Sequence, residues 1–270
     1  MDCVVATGNH PRQSDLVGRH QGHVPFPAAG CRSSHRAFTL VELLVVISIV
    51  VLLTGVLMPS LSRARAASER MSCANNMRQV GCAIHSYLED NRDRLPTLSQ
   101  ASGNNPRYSE GMALTTSDGQ LCDGLGLLLR CAPLGGHLSD ARALYCPCHR
   151  GDHPYDRYAS RIGGMFFDGD SGDVCYGNYQ YRSHRDPANG NLIRDPMRSD
   201  RVILTDGLRT RVDFSHITGT NRLFGDTHVD WRADVDRSIV NQIPVASMLV
   251  EPPNLYGSIW KVIEGNGMIR

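Results

Sequence analysis

Residues 38–58 read FTLVELLVVISIVVLLTGVLM, a run in which Glu42 is the one charged side chain. As an α-helix this run spans roughly 31 Å, about the thickness of the hydrocarbon core of a bilayer. It is too long and too far from Met1 for an ordinary secretory signal, and a polar helical pattern follows Pro59 without a small-residue cleavage site. The run therefore predicts a membrane-spanning helix that stays in the mature protein.

The segment before this run, residues 1–37, is rich in Gly, His and Pro and has no apolar period. We interpret it as a cytoplasmic leader that is cleaved. Arginines flank both ends of the span, Arg36 on one side and Arg63 and Arg65 on the other, so the positive-inside rule does not fix the orientation.

The string AFTLVE at residues 37–42 resembles the cleavage and methylation site of type IV prepilins and type II secretion pseudopilins. The resemblance implies that prepilin peptidase cuts between Ala37, where the family usually has Gly, and Phe38, and then methylates the Phe38 amine. It also implies that Glu42 serves assembly by pairing with the N-terminal amine of a neighbouring subunit, and that Pro59 kinks the helix. The alternative for Glu42 is a carboxylate that reaches back to the headgroup boundary.

A second helical pattern follows Pro59 and covers residues 59–95, with the helix expected to end at about Asn91. Apolar side chains recur there at steps of three and four, which predicts an amphipathic stalk helix that lays one stripe on a C-terminal sheet. The stripe consists of Leu61, Ala64, Ala67, Met71, Ala74, Met77, Val80, Ile84 and Leu88.

Residues 96–270 lose the helical period and become rich in Gly, Pro, Asp and Tyr. Short strand-like runs bounded by turn residues predict a β-rich antiparallel head with long loops, and the fold class is α+β. The predicted strands are Ala143–Cys146, Val174–Tyr181, Arg201–Thr205, Arg222–Phe224 and His228–Trp231. We expect a loop at Thr97–Gly126 and short helices at Leu125–Leu134, Asp140–Leu144 and the C-terminus.

The segment at residues 216–227 is similar to the H-X9-DG region of pilin-like proteins that share this N-terminal site. His216 and Asp226 match that pattern, and Thr227 stands in the place of the usual Gly. From the residues alone, Asn221–Trp231 is a hairpin with Asp226 in its turn, and His216 is expected to bond to that turn. The alternative is that His216, Asp226 and His228 gather a metal or form an acid–base pair.

The chain has nine cysteines, of which Cys3 and Cys31 lie in the leader. In an oxidising compartment the other seven predict two or three disulfides of unknown connectivity. Cys73 and Cys82 are too far apart on one helix to bridge each other.

The most metal-like cluster is Cys146-Pro147-Cys148-His149 followed by His153, but its spacing does not fit a zinc finger or ribbon, and a disulfide or free thiol is favoured over zinc. The acidic run from Asp168 to Asp173 is a possible calcium loop that fails the EF-hand pattern, and a solvated turn is favoured. No cofactor is otherwise expected.

Net charge of +1 argues against a nucleic-acid partner, and no P-loop, nucleophile elbow or zinc-protease motif occurs in the sequence. With these classes disfavoured, the resemblance to prepilins implies a non-enzymatic pilin-like or pseudopilin subunit in the inner membrane, single-pass, with a periplasmic or extracellular head. Its expected partners are prepilin peptidase, other pilin-like subunits and the membrane. Two alternatives stay open: a membrane-tethered periplasmic ligand-binding module, and a tethered metal-dependent enzyme built on Cys146, Cys148 and His149.

Overall fold

A computed structural model describes residues 38–101, 107–117, 121–129, 136–162, 173–187, 189–195, 197–216, 218–246, 252 and 254–265. Its contacts divide the chain into two units, Met1–Leu53 and Thr54–Arg270. Helix α1 comprises Leu40–Asp90. The predicted leader, including Ala37, lies outside the described residues.

Helix α1 continues through Pro59 and ends at Asp90, one residue before the expected end. Among the predicted stripe residues, Met77, Val80, Ile84 and Leu88 are buried. Leu61 and Met71 are instead exposed, as are Ala64 and Ala67, so the stripe is used for packing only in the last part of the helix.

The second unit holds a four-stranded antiparallel sheet in the order β1-β2-β3-β4. The fold class α+β is thereby confirmed. The strands are β1 (Tyr179–Tyr181), β2 (Val202–Asp206), β3 (Gly219–Phe224) and β4 (Val229–Ala233). Tyr181 pairs with Leu204, Thr205 with Arg222, and Leu223 with Val229.

Two apolar cores surround this sheet. The first joins the end of α1 to inward side chains such as Tyr179, Leu204 and Leu223. The second joins Val202 and Phe224 to helix α3, Leu255–Glu264. Strands β2 and β3 contribute side chains to both cores, so both cores pack against the same sheet.

Several local predictions were wrong. The predicted strand Ala143–Cys146 is a 3₁₀ turn, Ala141–Leu144, because the Asp140 carboxylate accepts a hydrogen bond from the Arg142 amide at 2.9 Å and caps it. Val174–Tyr181 forms a strand only at its end, and helix α2, Tyr155–Ile162, was missed. The predicted loop Thr97–Gly126 contains 3₁₀ turns at Ser99–Ala101 and Tyr108–Met112 and the start of a third.

The other short elements lie close to their predicted places. The predicted helix Leu125–Leu134 is a 3₁₀ turn at Gly124–Leu128, and the predicted C-terminal helix is α3. The head is less rich in strands than expected, because the described residues between the strands are mostly turns and irregular segments.

Candidate functional site

The N-terminus of α1 is closed by two side chains that bond to each other's backbone. Thr39 immediately precedes the first helical residue, and its amide and hydroxyl both donate to Oε2 of Glu42 at 2.9 Å. The Glu42 amide donates in turn to Oγ1 of Thr39 at 3.2 Å. This arrangement is a capping box, which satisfies amides that the first helical turn leaves unpaired. It holds the single carboxylate of the apolar run at the start of the helix.

The surface that follows is apolar and uncovered in the single chain. Every residue from 38 to 65 is exposed, and the Phe38 side chain is 76% accessible. Within the described part of the chain, α1 is the one helix long and apolar enough to cross a membrane, judged by length and composition. An apolar surface of this extent needs a lipid or protein cover.

The two residues of the H-X9-DG-like segment lie in different environments. Asp226 is in the β3–β4 turn, where it contacts Nδ1 of His228. His216 is buried and does not bond to that turn as predicted; its ring lies against Cys146, Cys148 and Trp231. The alternative, in which His216 gathers with Asp226 and His228, is therefore not what the structure shows.

The hairpin between these two residues was predicted correctly. Strands β3 and β4 pair as expected, with Asp226 and Thr227 in the turn between them. Thr227 has a φ of 70°, a left-handed conformation that favours glycine.

Four buried side chains meet at one point in the second unit, and we call them the cysteine–histidine cluster. Their ligand atoms all lie within 4.8 Å of one another. The members are Cys73, Cys146, Cys148 and His216. Cys73, from α1, and Cys146 are joined in a disulfide, while the Cys148 sulfur lies 3.0 Å from that of Cys146 and 3.4 Å from Nδ1 of His216.

This cluster differs from the one expected from the sequence. His149 and His153 are not members: Nδ1 of His149 lies 3.1 Å from Oγ of Ser215, and Nδ1 of His153 lies 2.9 Å from the Tyr158 hydroxyl. His149 therefore does not join Cys146 and Cys148 in this cluster. The sequence analysis did not identify Cys73 and His216 as partners, because neither is near Cys146-Pro147-Cys148, the CPC segment, in the chain.

Polar groups surround the cluster. The Tyr179 hydroxyl lies 3.3 Å from the Cys73 sulfur, and Oδ1 of Asp206 lies 3.8 Å from Nε2 of His216. Oδ2 of Asp206 accepts a hydrogen bond from the Asn221 amide at 2.8 Å. Burial raises the pKa of Asp206, and His216 opposes that rise. Burial, and then the nearby Asp206, raise the pKa of the Cys148 thiol to about 12.

Some of the remaining predicted residues lie outside the residues that the structure describes. The acidic run Asp168–Asp173 is described only at Asp173, and Cys131 is outside the described residues. The calcium loop and the full set of predicted disulfides therefore stay predictions.

Two family models match the chain. The prokaryotic N-terminal methylation motif matches residues 32–58, and a family described as protein of unknown function, DUF1559, matches residues 62–117. No curated protein and no solved structure matches the chain. The first match covers the capping box and the apolar run, and the second begins just after Pro59 and includes the part of α1 that packs in the first core.

Proposed function

We propose that the chain is a non-enzymatic pilin-like or pseudopilin subunit of a type II secretion or type IV pilus-like filament, a proposal supported by the match of residues 32–58 to the prokaryotic N-terminal methylation motif. In this proposal prepilin peptidase cuts between Ala37 and Phe38 and methylates the new amine. The chain is inserted once in the inner membrane, with residues 1–37 in the cytoplasm and the head in the periplasm or outside the cell. Its helix α1 then packs against the same helix of other pilin-like subunits.

The observation that carries this proposal is the uncovered apolar helix behind a matched methylation motif. Residues 38–65 are all exposed, although most of residues 38–58 are large and apolar. Lipid covers such a surface before assembly, and neighbouring helices cover it afterwards.

Glu42 gives the assembly step its specificity. A carboxylate in an apolar helix is costly unless it is paired or bonded. Both capping bonds from Thr39 are accepted by Oε2, and we propose that Oε1 accepts the N-terminal amine of a neighbouring subunit. The capping box would keep the carboxylate at the helix start, where that amine arrives.

The first test is N-terminal processing. The full chain co-expressed with a prepilin peptidase should lose residues 1–37 and acquire an N-methylated Phe38, which mass spectrometry of the purified protein would show. Expression with an inactive peptidase is the control. A chain that keeps its leader beside an active peptidase contradicts the proposal.

The second test separates capping from pairing between subunits. Glu42→Ala removes both, whereas Thr39→Ala removes the capping side chain and keeps the carboxylate. We expect Glu42→Ala to reduce photo-cross-linking between α1 helices at least about tenfold, because losing a desolvated charge pair costs more than about 1.4 kcal/mol. Thr39→Ala should keep most of the cross-linking, and both variants should remain in the membrane fraction. Equal loss in the two variants would assign Glu42 to capping alone.

A further inference from the structure

The cysteine–histidine cluster has the composition and burial of a structural metal site. We propose that its four side chains bind one Zn²⁺ ion when the three cysteines are reduced. Cys73, Cys146, Cys148 and His216 are each no more than 8% exposed. Buried thiolate and imidazole ligands suit zinc, whereas calcium and magnesium prefer oxygen ligands.

The spacing of the ligand atoms supports the proposal. Tetrahedral zinc with bonds of about 2.3 Å to sulfur and about 2.0–2.1 Å to nitrogen places its ligands roughly 3.5–3.8 Å apart. Nε2 of His216 lies 3.7 Å from the Cys146 sulfur and 3.6 Å from the Cys148 sulfur. The separations on the histidine side of the cluster are thus already those of a zinc site.

The number of ligands also favours a metal over a disulfide alone. A disulfide pairs two thiols, and the third, Cys148, is left buried beside the Cys73–Cys146 bond with an imidazole against it. A structural zinc site takes four protein ligands and closes the coordination sphere, so it uses every donor that the fold brings together here.

Groups outside the cluster are placed to orient its members. Oδ1 of Asp206 lies 3.8 Å from the Cys73 sulfur, and the Tyr179 hydroxyl lies 3.3 Å from the same sulfur. Carboxylates and hydroxyls in such positions fix the ligands of zinc sites and are part of their design. Asp206 itself is held by backbone and side-chain donors from β3.

A bound ion would connect three separate parts of the second unit. Cys73 comes from α1, the CPC segment from the loop before α2, and His216 from the segment before β3. The proposed role is therefore structural, since the ion would fasten the helix to the head, and all four coordination positions are filled by protein.

The disulfide is the alternative state of the same site. A dithiol reductant supplies two electrons and two protons to the Cys73–Cys146 bond and becomes a disulfide. A phosphine supplies the two electrons and becomes a phosphine oxide, while water supplies the oxygen and the two protons. Either reaction yields two thiols. The three thiols then release three protons when Zn²⁺ binds as a tris-thiolate imidazole complex. In the opposite direction a disulfide oxidant takes up the two electrons, and the zinc ion is released.

The experiment measures zinc in the full chain, purified in detergent with a phosphine reductant and supplied with zinc during expression. We expect about one zinc ion per chain by plasma mass spectrometry. Cobalt added in place of zinc should give the thiolate charge-transfer and intense visible bands of a tetrahedral site. His216→Ala and Cys148→Ser should lose most of the metal, whereas Cys82→Ser, a change at an exposed cysteine of the same helix, should keep it.

Two further measurements keep the test decisive. His216→Cys replaces the imidazole with a fourth sulfur ligand and should retain zinc. Retained zinc in this variant would show that His216→Ala loses the metal because a ligand is missing and not because the chain fails to fold. Under non-reducing conditions, His216→Ala should still form the Cys73–Cys146 disulfide, because that bond does not use the imidazole. The proposal would be overturned if the reduced wild-type chain held no more zinc than His216→Ala. An octahedral cobalt spectrum would overturn it as well. None of these outcomes depends on processing or filament assembly.

Discussion

At the scale of single residues, His153 shows how burial fixes a protonation state. Its side chain is enclosed, and its Nε2 lies 3.1 Å from a guanidinium nitrogen of Arg209. Because a guanidinium only donates hydrogen bonds, Nε2 accepts, and the ring proton lies on Nδ1, which donates to the Tyr158 oxygen. Burial first, and Arg209 in addition, lower the pKa of His153 to about 4, although Asp213 and Asp152 oppose the shift.

This setting predicts acid destabilisation. An unfolded histidine has a pKa of about 6.5, so between that pH and about 4 the unfolded chain binds more protons than the folded one. The stability from neutral His153 is complete above about pH 6.5 and is lost as pH falls toward the folded pKa. We expect a loss of roughly 1–2 kcal/mol between pH 7 and pH 5. Denaturant unfolding of the detergent-solubilised chain, followed by tryptophan fluorescence, would measure it.

The matched variant is His153→Gln, whose amide can accept from Arg209 and donate to Tyr158 without titrating. Its free energy of unfolding should fall less between the two pH values than that of the wild type. His149, whose pKa burial lowers to about 4 as well, should account for part of the loss that remains. An unchanged pH dependence in His153→Gln would show that this histidine is not a source of the acid sensitivity.

At the scale of elements, one glycine determines how closely α1 approaches the sheet. A Cβ added to Gly81 would lie 3.1 Å from Cδ1 of Leu223 and 3.3 Å from Cγ2 of Thr227. Glycine inside a helix costs about 0.5–1 kcal/mol relative to alanine. The close contact with the β3–β4 hairpin is the structural reason for glycine at this position.

A larger side chain at this position should therefore separate the helix from the hairpin. We expect Gly81→Leu to lower the free energy of unfolding by about 1–3 kcal/mol through overpacking. Asn75→Leu, at an exposed position of the same helix, should change it by no more than about 0.5 kcal/mol. Both values can be measured by the tryptophan-monitored unfolding described above. A stability of Gly81→Leu equal to that of Asn75→Leu would contradict the close packing.

The elements differ in how well the sequence predicts them. Helix α1 was predicted to within two residues at each end, because an apolar run and then a helical period extend over its whole length. The β3–β4 hairpin was predicted because Gly225-Asp226 marks its turn. The strand predicted at Ala143–Cys146 was wrong, since a short apolar run does not distinguish a strand from a buried turn, and the Asp140 cap decided the local structure.

At the scale of the whole molecule, the cysteine–histidine cluster could not be predicted from the sequence. Its members lie at positions 73, 146, 148 and 216, and only the tertiary fold brings them together. The CPC segment was recognisable as a possible ligand pair, but the nearest histidine in the chain, His149, turns toward Ser215 instead. The N-terminal motif was predictable because all of its residues are adjacent in the chain.

The sheet connects the two apolar cores of the second unit. Val202 and Phe224 belong to the core that contains α3, while Leu204 and Leu223 on the same strands belong to the core that contains the end of α1. Arg222 adds a polar connection, because its guanidinium donates to the Ile263 carbonyl at 2.6 Å. A change in one core should therefore be transmitted to the other.

We expect the two cores to unfold in one transition. Ile259→Ala deletes a fully buried side chain of α3 and should lower the free energy of unfolding by about 2–5 kcal/mol. In a Trp260→Phe background, Trp231 is the remaining tryptophan and lies beside His216, next to the cysteine–histidine cluster rather than α3. The Trp231 transition should nevertheless shift by the full amount, whereas Val235→Ala, at a position 90% exposed, should leave it in place. If Ile259→Ala leaves the Trp231-monitored unfolding transition in place while the helical signal is lost in a separate transition, the two cores unfold independently.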